Sequence, residues 1–515
     1  MATLRRPADP RTWAARAAVQ GALRAQSDAA RAGQLRSSYD FAAWGSVLAF
    51  AVYVALALAG AGGRALSITF PVGCLFVALF TYVRSPSTYL QFTWWCWLLT
   101  PFIRRLFDLR YGFHTTSPLL LGPVLATTVA VLTLFRHRRL LRSPTYLPFI
   151  VALVALFYAY CIGVIRQSLP AASYDLLLWG GPLAFGMHLS LSWRQYPRMR
   201  ATMVSMALWG MLVTSLYGIW QFAQPPIWDR TWVVSAEMYS IGIPSPFLLR
   251  VFSTLNAPGP FATMLIFTLL LGLAAPQRWR MLPLALGVVA LLLTKGRSAW
   301  GAFIVGALIM QLRQPIRTLP RQWVLLVGVL LLAAPAVVQP RIFKAVSARA
   351  ASLQQLETDN SYRSRSGLTR YVLHQVATNP VGGGLGQLGG ASKLLNGSKV
   401  GVAFDNGLLE VFGLMGWIGG MLYTMSLISI LLTVLRDRFA ARDPVIGASS
   451  AIICALLAES LFGNVFTGVS GFIFWSAVGL TTSGRTFAIA AEMSRRYTNH
   501  PGLPAARTLP TVAAA

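Results

Sequence analysis

Long apolar runs separated by short, arginine-rich polar stretches divide the chain from Phe41 onward. A helix needs roughly 20 apolar residues to cross the hydrocarbon core of a bilayer, and fewer where its ends are snorkelled. This length predicts about 14 membrane-crossing helices in an all-α polytopic protein. The predicted segments are 41–60, 66–83, 88–103, 116–135, 146–165, 172–191, 202–223, 258–275, 281–294, 298–312, 322–338, 404–434, 445–463 and 468–484.

Segment 404–434 differs from the others because it is long for a single crossing and contains Gly413, Gly416, Gly419 and Gly420. Glycines weaken a helix and allow it to bend. We therefore expect this segment to be tilted, kinked or partly outside the bilayer.

Composition agrees with a membrane protein: 55% of the 515 residues are hydrophobic and only 11% are charged. A soluble chain of this length would need more charged surface, and a disordered chain would have fewer aliphatic residues. The net charge of +29 does not indicate nucleic-acid binding, because the arginines lie between apolar runs. The four cysteines lie in apolar stretches without CxxC spacing, so we expect neither a disulfide framework nor a metal site.

The basic residues also predict an orientation, since cytoplasmic loops carry an excess of Arg and Lys. With both termini inside, all the dense basic loops fall in the cytoplasm. The chain then divides into a basic cytoplasmic tail, membrane helices with an outer loop at 224–257, a large helical periplasmic loop, C-terminal membrane helices and a cytoplasmic tail. These regions are 1–40, 41–338, 339–403, 404–485 and 486–515.

Two arginines on the predicted outer side adjoin apolar helices. Arg250 precedes segment 258–275, and Arg297 follows segment 281–294. An unpaired arginine costs roughly 2.5 to 3.5 kcal/mol when it is drawn toward the bilayer centre. An anionic partner would offset that cost. Ionisable residues inside other segments, namely His188, Asp175 and Glu459, are equally well explained by hydrogen bonds between helices.

Polar motifs follow one another in a fixed order in the second half of the chain. Arg250–Pro258 enters one segment, and Leu293–Trp300 lies between two others. A helix expected from Arg363 to Thr378 ends at Asn379-Pro380 and leads into a glycine run at 382–386, whose backbone could approach a ligand closely. Asp405–Glu410 then opens segment 404–434.

In order and placement these motifs resemble the superfamily of bacterial O-antigen ligases and polysaccharide-repeat polymerases, over about residues 250–420. The resemblance implies a GT-C-like fold in the inner membrane and a glycan donor linked to undecaprenyl pyrophosphate. It also implies that Arg250 and Arg297 hold the pyrophosphate at the periplasmic face. Arg363, Arg365 and Arg370 are supplementary candidates. Guanidinium groups suit this role because they form paired, charge-assisted hydrogen bonds with phosphate oxygens.

The ligases of this superfamily typically show a His-Asn pair where this chain has Asp405-Asn406. An aspartate here looks more like the exopolysaccharide polymerases. Asp405 is a candidate general base for an acceptor hydroxyl or a group that orients the sugar, and the second role is preferred. His374 is the alternative base. Asn406, Glu410 and Glu237 are candidate supporting residues.

The resemblance thus implies an inverting, metal-independent polymerase that joins lipid-linked oligosaccharide repeats, without a cofactor. A chain-length regulator is a conceivable partner. Two alternatives stay open. One is an O-antigen ligase that attaches finished glycan to lipid A core or to a protein. The other, from a different class, is a transporter or flippase for the same lipid-linked glycan.

Overall fold

A computed structural model describes residues 41–61, 63–313, 319–351, 373–374, 376–392 and 406–499. Within these residues all regular elements are helical and no strand occurs. The predicted all-α class is therefore confirmed. Asp405, Arg363, Arg365 and Arg370 lie outside the described residues.

The α-helices begin and end close to the limits of the apolar runs. Their bounds are α1 Phe41–Leu56, α2 Leu66–Arg84, α3 Pro86–Tyr111, α4 Leu121–Thr128, α5 Val131–Arg136, α6 Leu147–Arg166, α7 Leu169–Leu191, α8 Tyr196–Ala223, α9 Ile227–Ser235, α10 Pro258–Leu273, α11 Met281–Leu293, α12 Arg297–Leu312, α13 Leu319–Val338, α14 Pro340–Ala351, α15 Gly407–Leu435, α16 Pro444–Glu459 and α17 Gly468–Asn499.

Each of the predicted membrane segments overlaps one of these helices, or the pair α4 and α5 for segment 116–135. By length and composition, 6 helical stretches of the described chain are long and apolar enough to cross a membrane. The number rises to 7 if the pair Trp323–Val338 and Pro340–Ala350, bent by 103°, forms one span. The chain is a polytopic membrane protein; 14 crossings and the GT-C-like fold stay predictions.

Small residues let the central helices approach closely. Helices α7 and α17 cross at Gly186 and Gly479, where a Cβ on Gly186 would lie 2.5 Å from the Trp475 carbonyl oxygen. Aromatic rings fill the space beside this crossing, and the Trp94 ring lies 4.8 Å from both the Phe267 and the Phe472 rings. Close approach at small residues is how membrane helices associate without a hydrophobic driving force.

Helix α15 is kinked at Gly416, as the glycines of segment 404–434 led us to expect. Gly416 has φ 62° and ψ −164°, a conformation that favours glycine. The interrupted backbone accommodates another part of the chain, since the Trp417 amide donates to the Pro380 carbonyl at 2.8 Å. The Trp417 indole donates to the Val376 carbonyl at 2.9 Å. The kink is therefore a docking point for the chain that precedes α15.

The glycine run at 382–386 is buried at this docking point. The Gly383 and Gly384 amides each donate to a carbonyl of α15 at 2.9 Å, and the Leu385 amide donates to the Ala159 carbonyl of α6 at 3.0 Å. A Cβ on Gly384 would overlap the Gly163 backbone. The close approach that these glycines permit is thus made to two helices of the protein itself.

Candidate functional site

The segment that carries Arg250 lies along the end of α11. The Arg250 amide donates to the Ile241 carbonyl at 2.8 Å, and the Val251 amide donates to the Leu293 carbonyl at 3.1 Å. The half-buried Arg250 side chain reaches the next turn, where its Nε donates to the Thr294 carbonyl at 3.0 Å. The structure therefore brings Arg250 to the turn that leads into Arg297.

The turn between α11 and α12 is short and conformationally unusual. Lys295 has φ 53°, which is uncommon for a residue with a side chain. Its ammonium group lies 5.4 Å from the centre of the Phe222 ring and 3.5 Å from the Leu248 carbonyl oxygen. Arg297 is the first residue of α12. The turn thus holds Lys295 against the Arg250 segment.

A further cation reaches the same turn from α14, the helix that folds back after the 103° bend. The Arg349 Nε donates to the Lys295 carbonyl at 3.2 Å. Arg250, Lys295 and Arg349 form what we call the cation cluster. Burial lowers the pKa of Lys295 from its ordinary value, and the charges of Arg250 and Arg349 lower it further. Like charges gathered in this way favour an anion.

A buried ion pair fixes the backbone just beyond Arg250. Arg105 of α3 donates to the Asp229 carboxylate of α9 at 2.7 Å, and both side chains are fully buried. The same guanidinium donates to the Ser253 carbonyl at 2.6 Å. The Arg105 carbon Cζ also lies 4.9 Å from the centre of the Phe252 ring. The ion pair therefore ties α3 and α9 to segment 250–257.

Gln221 completes this support from α8. Its Oε1 accepts hydrogen bonds from the Phe252 and Ser253 amides at 3.1 and 2.9 Å, while its Nε2 donates to Asp229 at 2.6 Å. Ser253 has φ 53°, so its backbone would not adopt this conformation by preference. We call Arg105, Asp229, Gln221 and Ser253 the buried polar network. The network provides hydrogen-bond partners for backbone amides and a carbonyl of this irregular segment. In a helix, such groups would bond to one another.

Buried ionisable groups inside the helices have polar partners on neighbouring elements. Asp175 accepts a hydrogen bond from the Gly386 amide at 2.9 Å, and Glu459 accepts one from the Thr263 hydroxyl at 3.3 Å. His188 Nδ1 lies 2.7 Å from the Thr133 hydroxyl oxygen. These contacts agree with the structural interpretation of the three residues.

The candidate supporting residues are distributed differently. The Asn406 carboxamide oxygen accepts hydrogen bonds from the Leu408 and Leu409 amides, both at 3.0 Å, so Asn406 caps α15. Glu410 is buried in the first turn of the same helix, with Asn464 facing it. Glu237 is exposed, with φ 53°, in segment 224–257, the predicted outer loop. Asn406 and Glu410 thus lie at the start of α15, whereas Glu237 belongs to another region.

His374, the alternative base, has an exposed side chain. The helical residues 376–378 end at Thr378, as the Asn379-Pro380 pair predicts. The Val376 carbonyl accepts a hydrogen bond from the Trp417 indole, which fixes this helical turn to α15. The described structure places His374 near the α15 kink, and no described contact joins it to the cation cluster. Among the residues that the structure covers, no group of three or more His, Cys, Asp or Glu side chains could hold a metal ion.

Sequence reasoning did not select Lys295, Arg349 or the buried polar network. Lys295 lay inside a motif already identified, next to a glycine that permits a tight turn. Arg105 carried a signal as well, because an arginine next to the predicted membrane segment 88–103 is expected to have an anionic partner. Arg349 gave no comparable signal, since its position depends on the bend before α14.

The fold and the cation cluster define a many-helix membrane protein with basic side chains gathered at one end of its helices. Residues 282–424 match the family model described as O-antigen ligase. This match confirms the resemblance to the superfamily of O-antigen ligases and polymerases. It starts in α11 and ends in α15, so it includes Lys295, Arg297, Arg349 and Glu410. A search of curated proteins found no match to the chain.

The family match indicates a glycosyltransferase-like enzyme with an O-antigen ligase-like or polymerase-like function. Such a function implies lipid-linked glycan substrates in a membrane. Arg250 and the buried polar network lie before the matched residues, yet Arg250 contacts the 294–297 turn within them.

Proposed function

We propose that the protein polymerises oligosaccharide repeats carried on undecaprenyl pyrophosphate at the periplasmic face of the bacterial inner membrane. The product would be a surface polysaccharide or an exopolysaccharide. The observation that carries this proposal is the cation cluster, in which Arg250 and Arg349 both bond to the backbone of the 294–297 turn. A lipid-linked pyrophosphate is an anion that reaches helix ends from the bilayer.

The cation cluster suits the leaving group of such a reaction. The pyrophosphate gains negative charge as the glycosidic bond breaks, and preorganised cations stabilise that charge most in a site shielded from water. Arg250 and Arg349 offer planar forks that match phosphate oxygens, whereas Lys295 offers a point charge. Arg297 would add a further guanidinium from the start of α12. These groups supply the positive charge for which other enzymes use a metal ion.

The reaction that we propose is a single displacement with inversion. An acceptor hydroxyl oxygen bonds to the anomeric carbon of the donor repeat, and the bond from that carbon to the pyrophosphate oxygen breaks. The electron pair of the broken bond stays on the pyrophosphate, and the hydroxyl proton goes to a base. The acceptor is the end of another carrier-linked repeat.

For the acceptor we propose Asp405, with His374 as the alternative base. The adjacent Asn406 caps α15 and also donates to the Leu461 carbonyl at 3.1 Å. This fixes the start of the helix to the chain after α16. Asp405 therefore precedes a firmly held residue, which suits a group that orients a sugar hydroxyl. Arg363, Arg365 and Arg370 remain proposed supplementary contacts to the donor.

The direct test is to incubate the purified protein with a lipid-linked repeat and to separate the products on a gel. A ladder of multiples of the repeat is expected, with or without a chelator. A single repeat that stays unchanged would reject polymerase activity. Loss of the ladder on chelation would reject a metal-independent reaction.

A ligase is the second candidate, and the description of the matching family model favours it. Deleting the gene in its own host distinguishes the two functions. Loss of a polymerase leaves single repeats, whereas loss of a ligase leaves long chains on the carrier. A flippase would form no ladder in the purified system, because it forms no glycosidic bond.

A further inference from the structure

A groove lies at the end of α15 opposite to Glu410, between α15 and α17. Its volume is about 470 Å³. Met425 and Leu432 form an apolar wall, and Arg436 and Arg485 stand at one end. From Glu410 to Arg436, α15 covers about 39 Å at the usual helical rise, so the groove is separate from the candidate site.

The two arginines of the groove are available for a ligand. Within the described residues, neither guanidinium takes part in an ion pair or a hydrogen bond with the rest of the protein. Arg436 is exposed, and Arg485 is partly exposed. By contrast, the nearby Arg438 is paired with Glu492 at 2.9 Å. Two cations that form no ion pair with the described residues, at one end of an apolar wall, are a binding feature for an amphipathic anion.

The other charges around the groove do not neutralise it. The Asp437 carboxyl lies near Arg485, but Arg313 and Arg438 lie near it as well. Its Oδ1 accepts a hydrogen bond from the Phe439 amide at 2.9 Å. With Glu492 included, two carboxyl groups lie among Arg313, Arg436, Arg438, Arg442 and Arg485, which leaves a positive surplus at this end of the helices.

The length of the apolar wall matches one bilayer leaflet. Met425 and Arg436 are separated by 11 residues, which corresponds to about 16 Å of helix. Half of the hydrocarbon core is about 15 Å thick. Ser429 and Thr433 line the groove between them, and neither hydroxyl bonds to another described group. An ester-linked glycerol would meet these hydroxyls just below the arginines.

We propose that this groove binds one anionic phospholipid of the leaflet on the side opposite the candidate site. The positive-inside rule predicts that leaflet to be cytoplasmic. The phosphate of the headgroup contacts Arg436 and Arg485, and one acyl chain lies along the wall from Leu432 to Met425. The site is distinct from the one proposed for the lipid-linked glycan.

Native mass spectrometry of the full chain tests this proposal. The protein is titrated with phosphatidylglycerol or with phosphatidylethanolamine of the same acyl chains. The wild type is expected to bind phosphatidylglycerol at least about 10-fold more tightly than phosphatidylethanolamine, since each basic residue contributes about 5-fold near a membrane surface. Equal binding of the two lipids would overturn the proposal.

Matched double variants locate the site. Arg436→Gln with Arg485→Gln should reduce the preference to less than about 2-fold. Arg438→Gln with Arg442→Gln removes the same charge at the same end, but from residues that lie beside Glu492, and should keep the preference. Thermal unfolding checks that both variants are folded. If both lose the preference equally, general charge explains it and the groove is not the site.

Inorganic phosphate distinguishes a lipid site from a simple anion site. Phosphate at the same concentration should not displace the bound phosphatidylglycerol, because the acyl chain contributes to binding. Leu432→Arg places a charge on the apolar wall, where the acyl chain lies. It should therefore weaken the binding of phosphatidylglycerol even though Arg436 and Arg485 are intact. Displacement by phosphate, or unchanged binding in Leu432→Arg, would contradict the proposal.

Discussion

Segments 250–257 and 381–386 both thread irregular backbone between helices, but they are held by different means. Side chains hold the first segment, where Arg105 and Gln221 bond to the backbone at Phe252 and Ser253. In the second, Gly383, Gly384 and Leu385 donate directly to helix carbonyls, so backbone bonds backbone. Side chains add to this junction, since Arg166 and Gln167 donate to the Gly382 and Gly383 carbonyls. In both cases the protein supplies hydrogen-bond partners for buried backbone groups that water does not reach.

This difference predicts different responses to substitution. A side-chain network can lose one member without losing the path of the backbone, although the segment is then positioned less accurately. A backbone junction made by glycines has no room for even one carbon atom. The first arrangement suits a segment that must aim Arg250, and the second suits a segment that only has to stay in place.

The largest effect is expected for Gly384→Val. Its φ of +82° and the overlap of a Cβ with Gly163 both oppose any side chain, so we expect a loss of more than about 3 kcal/mol in stability. Thermal unfolding and the yield of monodisperse protein measure this. Gly301→Ala is the control, because a Cβ there meets nothing within 4 Å. A Gly384→Val protein as stable as the control would show that the junction is not tight.

The next effect is expected for Arg105→Met, which leaves the buried Asp229 without its cation. Removal of one partner of a buried pair costs about 3 to 5 kcal/mol. The Ser253 carbonyl also loses its donor, so KM for the lipid-linked repeat should rise. The double variant Arg105→Met with Asp229→Asn should regain stability but not the low KM.

Two comparisons sharpen that experiment. Arg438→Gln breaks an exposed pair and should change stability by less than about 1 kcal/mol. If KM in the Arg105→Met, Asp229→Asn double variant returns to its original value together with stability, the buried polar network acts through the stability of the fold alone.

Arg250→Ala tests the group that the first segment aims. We expect turnover to fall at least about 100-fold while the protein stays folded, because a preorganised donor to the leaving group is lost. Arg250→Lys keeps the charge but not the planar fork, so about a 10-fold loss is expected. The ladder assay measures turnover, and Lys344→Ala, an exposed cation of α14, serves as the control. Full turnover in Arg250→Ala would reject its assigned role.

The smallest effect concerns pH. The pKa of Lys295 is lowered by burial and by Arg250 and Arg349, so this lysine loses its proton at a lower pH than an ordinary lysine. Donor binding should therefore weaken as pH rises, and KM should increase on the alkaline side. Lys295→Arg should move that increase to higher pH, since arginine stays charged. An identical pH profile in both proteins would exclude Lys295 from donor binding.

The sequence predicted the helices well because apolar length is a local property. Segment 258–275 corresponds to α10 at Pro258–Leu273, and the glycines of segment 404–434 indicated the kink that occurs at Gly416. Motif order and the resemblance assigned Arg250 and Arg297 to one ligand, so we expected Arg250 near the turn that leads into Arg297. These features depend on residues close together in the chain or on a recognised pattern.

Other parts of the site depend on contacts between distant residues. Arg105 and Asp229 are 124 positions apart, and no periodicity links them. Arg349 reaches Lys295 only because the chain turns by 103° between α13 and α14. The sequence also did not show that the glycine run contacts α6 and α15. Glycine indicates a close approach but does not indicate which element is approached. The assignments of Asp405, Arg363, Arg365 and Arg370 stay predictions.

The glycine junction also limits how this protein could be engineered. A chimaera that receives its large outer loop from a relative would have to receive compatible surfaces on α6 and α15 at the same time. Gly163 and Gly384 are the two halves of one fit, as are Gly382 and Gly416. A donor loop with a bulkier residue at either crossing would need a compensating change on the recipient helix before the activity of the chimaera could be measured.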